Sequence, residues 1–118
     1  MKTPNIARGQ IGEDIAVDFL SKKGYRVLRR NYRYEHGEID IIAESEHVLV
    51  FVEVKTRVST SFGEPEDAIS NRKQEILRKT AEGFLMEHDI VDQDCRFDVI
   101  AIQYQKGRPI VNHIENAF

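Results

Sequence analysis

The alternation of apolar and polar positions divides the chain into helical and strand-like stretches. From Pro4 to Lys23 the residues Ile6, Ile11, Ile15, Ala16, Val17, Phe19 and Leu20 recur at helical spacing and form one broad arc. Thr3 suits an N-cap with Pro4 at the first helical position, and Gly24 suits the residue just past the end. Tyr25–Tyr34 reads as a strand with Tyr25, Val27, Arg29 and Asn31 on one face. Gly37–Arg57, GEIDIIAESEHVLVFVEVKTR, holds two further strands, Glu38–Glu44 and Val48–Thr56, joined by a turn at Glu46 and His47. Helical spacing returns at Ile69, Lys73, Ile76, Leu77, Ala81, Phe84 and Leu85, with Ser70 a candidate cap. After the loop HDIVDQD, Cys95–Gln103 is a strand with Arg96 and Asp98 on one face and Phe97, Val99 and Ala101 on the other. Ile110–Ile114 follows a turn at Gly107 as a short edge strand. Helix, three strands, helix, strands predicts an α/β sandwich, a central mixed sheet flanked by helices on both faces, folded as one domain over residues 1–118.

The hairpin carries the chemistry. With its turn at Glu46 and His47, Asp40 lies opposite Glu53 and Glu38 opposite Lys55, and strict alternation puts these side chains on one face with Ile42, Glu44, Leu49 and Phe51. The other face is then Ile39, Ile41, Ala43, Val48, Val50, Val52 and Val54, apolar throughout. Carboxylates crowded on adjacent pleats repel one another, and a Glu38–Lys55 pair relieves only part of this. A divalent cation between Asp40 and Glu53 relieves more, since hard cations choose carboxylate oxygen. The competing reading is an ordinary salt-bridged strand end.

The net charge of −3 and pI near 5.8 do not by themselves point to nucleic acid. The distribution says more. Lys22, Lys23, Arg26, Arg29, Arg30 and Arg33 fall in a stretch without acids, and Arg72, Lys73, Arg78 and Lys79 form a second cluster. Either is a solvated face or a phosphate-contacting one. No apolar run approaches the roughly 20 residues of a membrane span, and the N-terminus has no secretory h-region. A lone cysteine, Cys95, excludes an internal disulfide and a CxxC metal site, which favours the cytoplasm.

GEIDII followed by VFVEVKTR resembles the metal-binding hairpin of the PD-(D/E)xK nucleases, the restriction-endonuclease-like fold that includes archaeal Holliday-junction resolvases. More narrowly the chain is similar to the bacterial YraN family, through GQIGEDIAVDFL, GYRVLRRNYR, the hairpin, FGEPEDAI and RFDVIAI. The proline that names the superfamily motif is absent, Ile39 standing before Asp40. The resemblance implies a restriction-endonuclease-like sandwich and a Mg²⁺- or Mn²⁺-dependent endonuclease acting on DNA, at branched or distorted structures. Asp40, Glu53 and the Val54 carbonyl would hold the metal, and Lys55 would orient or deprotonate the water or bind the scissile phosphate. Glu13 falls inside the apolar arc of the first helix and matches the position of a metal-completing Glu; the alternative is a Glu bonded to a nearby Arg. Glu38, Arg57, Lys73 and Gln74 are accessory candidates; Arg57 either contacts a phosphate or packs the loop, and Phe62 either stacks on a base or packs the loop. His36 is either a proton shuttle or a plain loop histidine. The partner is nucleic acid, DNA before RNA, with no membrane. A symmetric cut of both strands would call for a homodimer. The competing class is a nucleic-acid-binding or partner-docking module that keeps the fold without the activity.

Overall fold

The computed structural model describes residues 4–57 and 69–118, the side chains of 4–9 excepted. Thr3, Ile6 as a side chain, and the loop with Phe62 and FGEPEDA lie outside the described residues. The order is α1 (Pro4–Lys22), β1 (Arg26–Tyr34), β2 (Gly37–Ser45), β3 (Val48–Arg57), α2 (Asn71–Glu87), β4 (Cys95–Gln105) and β5 (Arg108–Ile114). The strands form one five-stranded sheet in chain order, β1-β2-β3-β4-β5. Neighbours are antiparallel except β3 and β4, which α2 connects as a parallel pair. The sheet is therefore mixed. Among the described residues no helix is long and apolar enough to cross a membrane.

Each sheet face carries one helix. Ala16 and Leu20 of α1 pack on Ile41, Ala43, Val50, Val52, Ile100 and Ile102. Leu77, Ala81 and Phe84 of α2 pack on Tyr32, Ile39, Ile42, Leu49, Phe51 and Val99. Removing both faces of the central strands from water is what makes β2 and β3 apolar nearly residue by residue. Ser70 is the N-cap of α2 and accepts from the Lys73 N–H. Glu46 and His47 turn the hairpin at φ 50° and 71°, the left-handed pair that a two-residue hairpin requires. The predicted register follows, from Ser45 against Val48 to Ile41 against Val52.

Glycines set how closely the helices approach: Gly83 of α2, for one, leaves no room for a Cβ against the Tyr34 ring. A Cβ on Gly12 would collide with Thr56 Oγ1 near the end of β3, and one on Gly37 with Thr80 Oγ1 of α2. Behind β4, the fully buried Asp98 accepts two bonds from Arg96 at 2.9 Å, one from the Asn116 N–H at 2.9 Å, and contacts His113 Nε2 at 2.8 Å. Burial pushes its carboxyl up, but the bonds from His113, Arg96 and Asn116 outweigh that and hold it below the usual range. This structural ion pair ties the C-terminal strand to the sheet.

Candidate active site

The ladder between β2 and β3 stops at Ile41–Val52, while both strands continue. Below that point Gly37, Glu38 and Ile39 pair only with β1, and Glu53–Arg57 only with β4. The sheet is forked there. Its two prongs carry Asp40 on one side and Glu53, Val54 and Lys55 on the other.

Strict alternation fails in the same place. Ile41 belongs to the α1 core and Ile39 to the α2 core, although two residues apart on a strand should share a face. On β1, opposite, Arg30 pairs with Ile41 and Tyr32 with Ile39, and Asn31 between them has φ 53°. The slip turns Asp40 toward the α1 side, where it lines a recess of about 190 Å³ with Glu13, Val54 and Thr56. Glu53 lies on the opposite side, 3.3 Å from Lys73 Nζ of α2. The expectation that Glu38, Asp40, Glu53 and Lys55 share one face is therefore corrected, and Ile39 leaves the face assigned to it. Arg29 likewise leaves the face of Val27, because β1 shifts register between them; its guanidinium lies 5.1 Å from the Tyr32 ring.

What the fork preserves is nearness. Asp40 Oδ2 accepts the Val54 N–H at 2.8 Å, in the place that an Ile39 carbonyl would take in a continued ladder. The N–H and C=O of a strand residue point to the same side, so the Val54 carbonyl also points toward β2. Burial pushes the Asp40 carboxyl up to about 7, with the charge of Glu53 adding, the Val54 bond opposing, and Glu13 and Glu38 adding further. Carboxylates thus converge on the fork from α1, β2 and β3. Among the described residues, however, no three His, Cys, Asp or Glu side chains assemble a ready-made metal cage.

The remaining candidates divide by position. Glu13, its side chain 12% exposed, comes into the recess because Gly12 lets α1 lie against Thr56. Its Oε1 accepts from Arg30 at 3.2 Å and Asn31 at 3.1 Å, so it faces the recess and is also bonded to an arginine. Lys55 makes no hydrogen bond or ion pair among the described residues. Glu38 pairs with Arg33, its β1 neighbour, at 3.6 Å rather than with Lys55. Arg57 ends β3 in register with Gln103. The Gln74 amide is taken up by the Ile69 carbonyl at 2.8 Å, at the start of α2. His36 is exposed in the turn before β2.

Comparison with known proteins places the chain. The model of the uncharacterised protein family UPF0102 matches residues 12–102. A UPF0102 protein of Alkaliphilus oremlandii is 47% identical over 112 residues, covering 93% of this chain and 96% of its own. One from Sulfurihydrogenibium sp. is 48% identical over 111 residues, covering 94% and 93%. The chain belongs to this family. UPF0102 is the YraN family that the sequence resembles, and its description names no activity. Among solved structures, Pyrococcus furiosus SfsA in complex with Ca²⁺ is 15% identical with a TM-score of 0.39. The match covers 89% of this chain and 60% of that one, too remote a likeness to carry an argument.

The sequence of this UPF0102 chain singled out Asp40, Glu53 and Glu13, which the structure brings to the fork, and an arginine partner for Glu13, but not Asn31 or Thr56, which border the recess. The one available signal was Asn31 itself, a poor strand former in the middle of a strand and the non-glycine residue best suited to a left-handed backbone.

Proposed function

We propose that this UPF0102 protein is a metal-dependent endonuclease that hydrolyses phosphodiester bonds of DNA, at branched or distorted structures, in the cytoplasm. One observation carries the reading. In the fork, Asp40 is held on the Val54 N–H, where burial and then the charge of Glu53 push its carboxyl to about 7. Such crowding wants a cation, and the only ammonium within ion-pairing distance of Glu53 among the described residues is that of Lys73. The donors on offer are two carboxylates and the Val54 carbonyl, all hard oxygen. That set suits Mg²⁺ or Mn²⁺, which bind through one or two carboxylates and keep waters and phosphate oxygens as their other ligands.

A metal bound there would polarise the phosphoryl group and offset the charge of the transition state. The protein's residues do the rest. Asp40 and Glu53, approaching from the two prongs, would hold that metal. Glu13 supports the water shell from the α1 side. Lys55, without a partner among the described residues, binds the scissile phosphate as the water oxygen bonds to phosphorus and the bond to the leaving sugar oxygen breaks; the water gives up its proton to solvent and the sugar oxygen takes one from solvent. Lys73 balances Glu53 from the α2 side until substrate enters.

Linear, nicked, flapped and four-way DNA, with matched RNA, incubated with Mg²⁺ or Mn²⁺ test this. Cleavage that Asp40→Asn abolishes supports it. The docking-module reading has one observation in its favour: Arg26, Arg30 and Arg33 of β1 all pair with acids, which lowers the cationic surface open to phosphate. Binding without cutting, unchanged in Asp40→Asn, would decide for that module.

A further inference from the structure

We propose that Asn31 is a positioning residue that aims Glu13 into the recess beside Asp40, an inference that rests on the metal-dependent reading above. Asn31 adopts φ 53° inside a strand, a conformation that L-residues other than Asn and Asp rarely accept. The backbone turn has a consequence. Arg30 and Asn31, neighbours that alternation would send to opposite faces, both reach Oε1 of Glu13 on the α1 side. A carboxylate only accepts, so the Asn31 amide must present its NH₂.

The two donors are not equivalent. Arg30 makes its shorter bond, 2.7 Å, to Asp14, whose side chain is 59% exposed, which draws the guanidinium outward. The amide holds Glu13 without neutralising it. Oε2 of Glu13 has no partner among the described residues, and the side chain lines the recess with Asp40, Val54 and Thr56. One oxygen is therefore tethered, and the other is left without a partner among the described residues on a side chain that lines the recess. A purely structural ion pair would need only Arg30 and an ordinary strand backbone; strain kept beside a site is a mark of function.

Calorimetric titration of Mn²⁺ into the full chain tests the inference. Asn31→Gly keeps the left-handed backbone and removes the amide, and is expected to weaken Mn²⁺ binding by about tenfold, the lower end for a group that orients a ligand. Its melting temperature should stay within a few degrees of the parent's, a combination that a merely structural role would not give. Asn31→Asp keeps shape and backbone but sets an acceptor against Glu13, and should bind more weakly still. Because Asn31 acts through Glu13, the double variant with Glu13→Gln should bind no more weakly than Glu13→Gln alone. Parent-like affinity in Asn31→Gly, or losses that multiply in the double variant, would overturn the inference. Should Asp40→Asn abolish binding while Asn31→Gly leaves it intact, only the positioning role falls. Should the parent bind no Mn²⁺, the endonuclease reading falls and the role of Asn31 with it.

Discussion

Asp40→Asn keeps the outline of the side chain and still accepts the Val54 N–H, but removes a negative charge from a place where burial and Glu53 disfavour it. The Asp40 carboxyl rises from an ordinary 3.8 to about 7. Between those values the folded chain holds a proton that the unfolded chain has released, so metal-free stability falls as pH rises through the window and levels off above it. At about 1.4 kcal/mol per pH unit the full penalty at pH 8 is at most about 4 kcal/mol. Shared repulsion with Glu53 lowers what one substitution recovers, to about 2–4 kcal/mol. For a domain of this size each kcal/mol moves the melting temperature by roughly 4 °C. Circular-dichroism melts in chelator should thus show parent and variant together near pH 4, and the variant higher by about 8–16 °C at pH 8. Added Mg²⁺ or Mn²⁺ should raise the parent's melting temperature and leave the variant's unchanged. A variant less stable than the parent at pH 8 in chelator, or a parent whose stability does not decline between pH 4 and 8, would refute the reasoning.

Other substitutions separate the roles assigned above. Lys55→Met should cut the rate of DNA cleavage by about 10²-fold or more with little change in melting temperature, as expected for a cation that acts on the transition state rather than on a protein partner. Lys73→Met should slow it far less and cost at most about 1 kcal/mol by urea denaturation, since its pair with Glu53 is half-exposed on the lysine side. Gly12→Ala should push α1 off Thr56, visible as loss of both stability and Mn²⁺ affinity, whereas Gly24→Ala, with open space around its Cβ and φ 94°, should cost stability alone. Asp98→Ala strands Arg96 and His113 and should cost about 3–5 kcal/mol of unfolding free energy by urea denaturation. Because the Asp98 carboxyl is depressed, the parent's matching stabilisation is present above pH 4 and lost on acidification through its lower folded value, opposite in sign to Asp40.

The hairpin, its turn and its register were legible in the chain because they depend on local terms: a period of two, an apolar run on each strand, and a two-residue turn in which Glu46 and His47 take positive φ. So were the two covering helices, from the spacing of Ala16 and Leu20 and of Leu77, Ala81 and Phe84. The fork was not. Whether a ladder continues past Ile41–Val52 depends on what lies beside it: a left-handed Asn31 on β1, a helix brought close by Gly12, and Lys73 reaching from α2. These are contacts between residues far apart in the chain, and alternation on one strand holds no information about them. Sequence therefore named the acids that meet. The packing of both helices and β1 against the hairpin decided that Asp40 and Glu53 meet across an open seam rather than on one face, because only there does the Val54 N–H, left without its carbonyl, take a carboxylate instead.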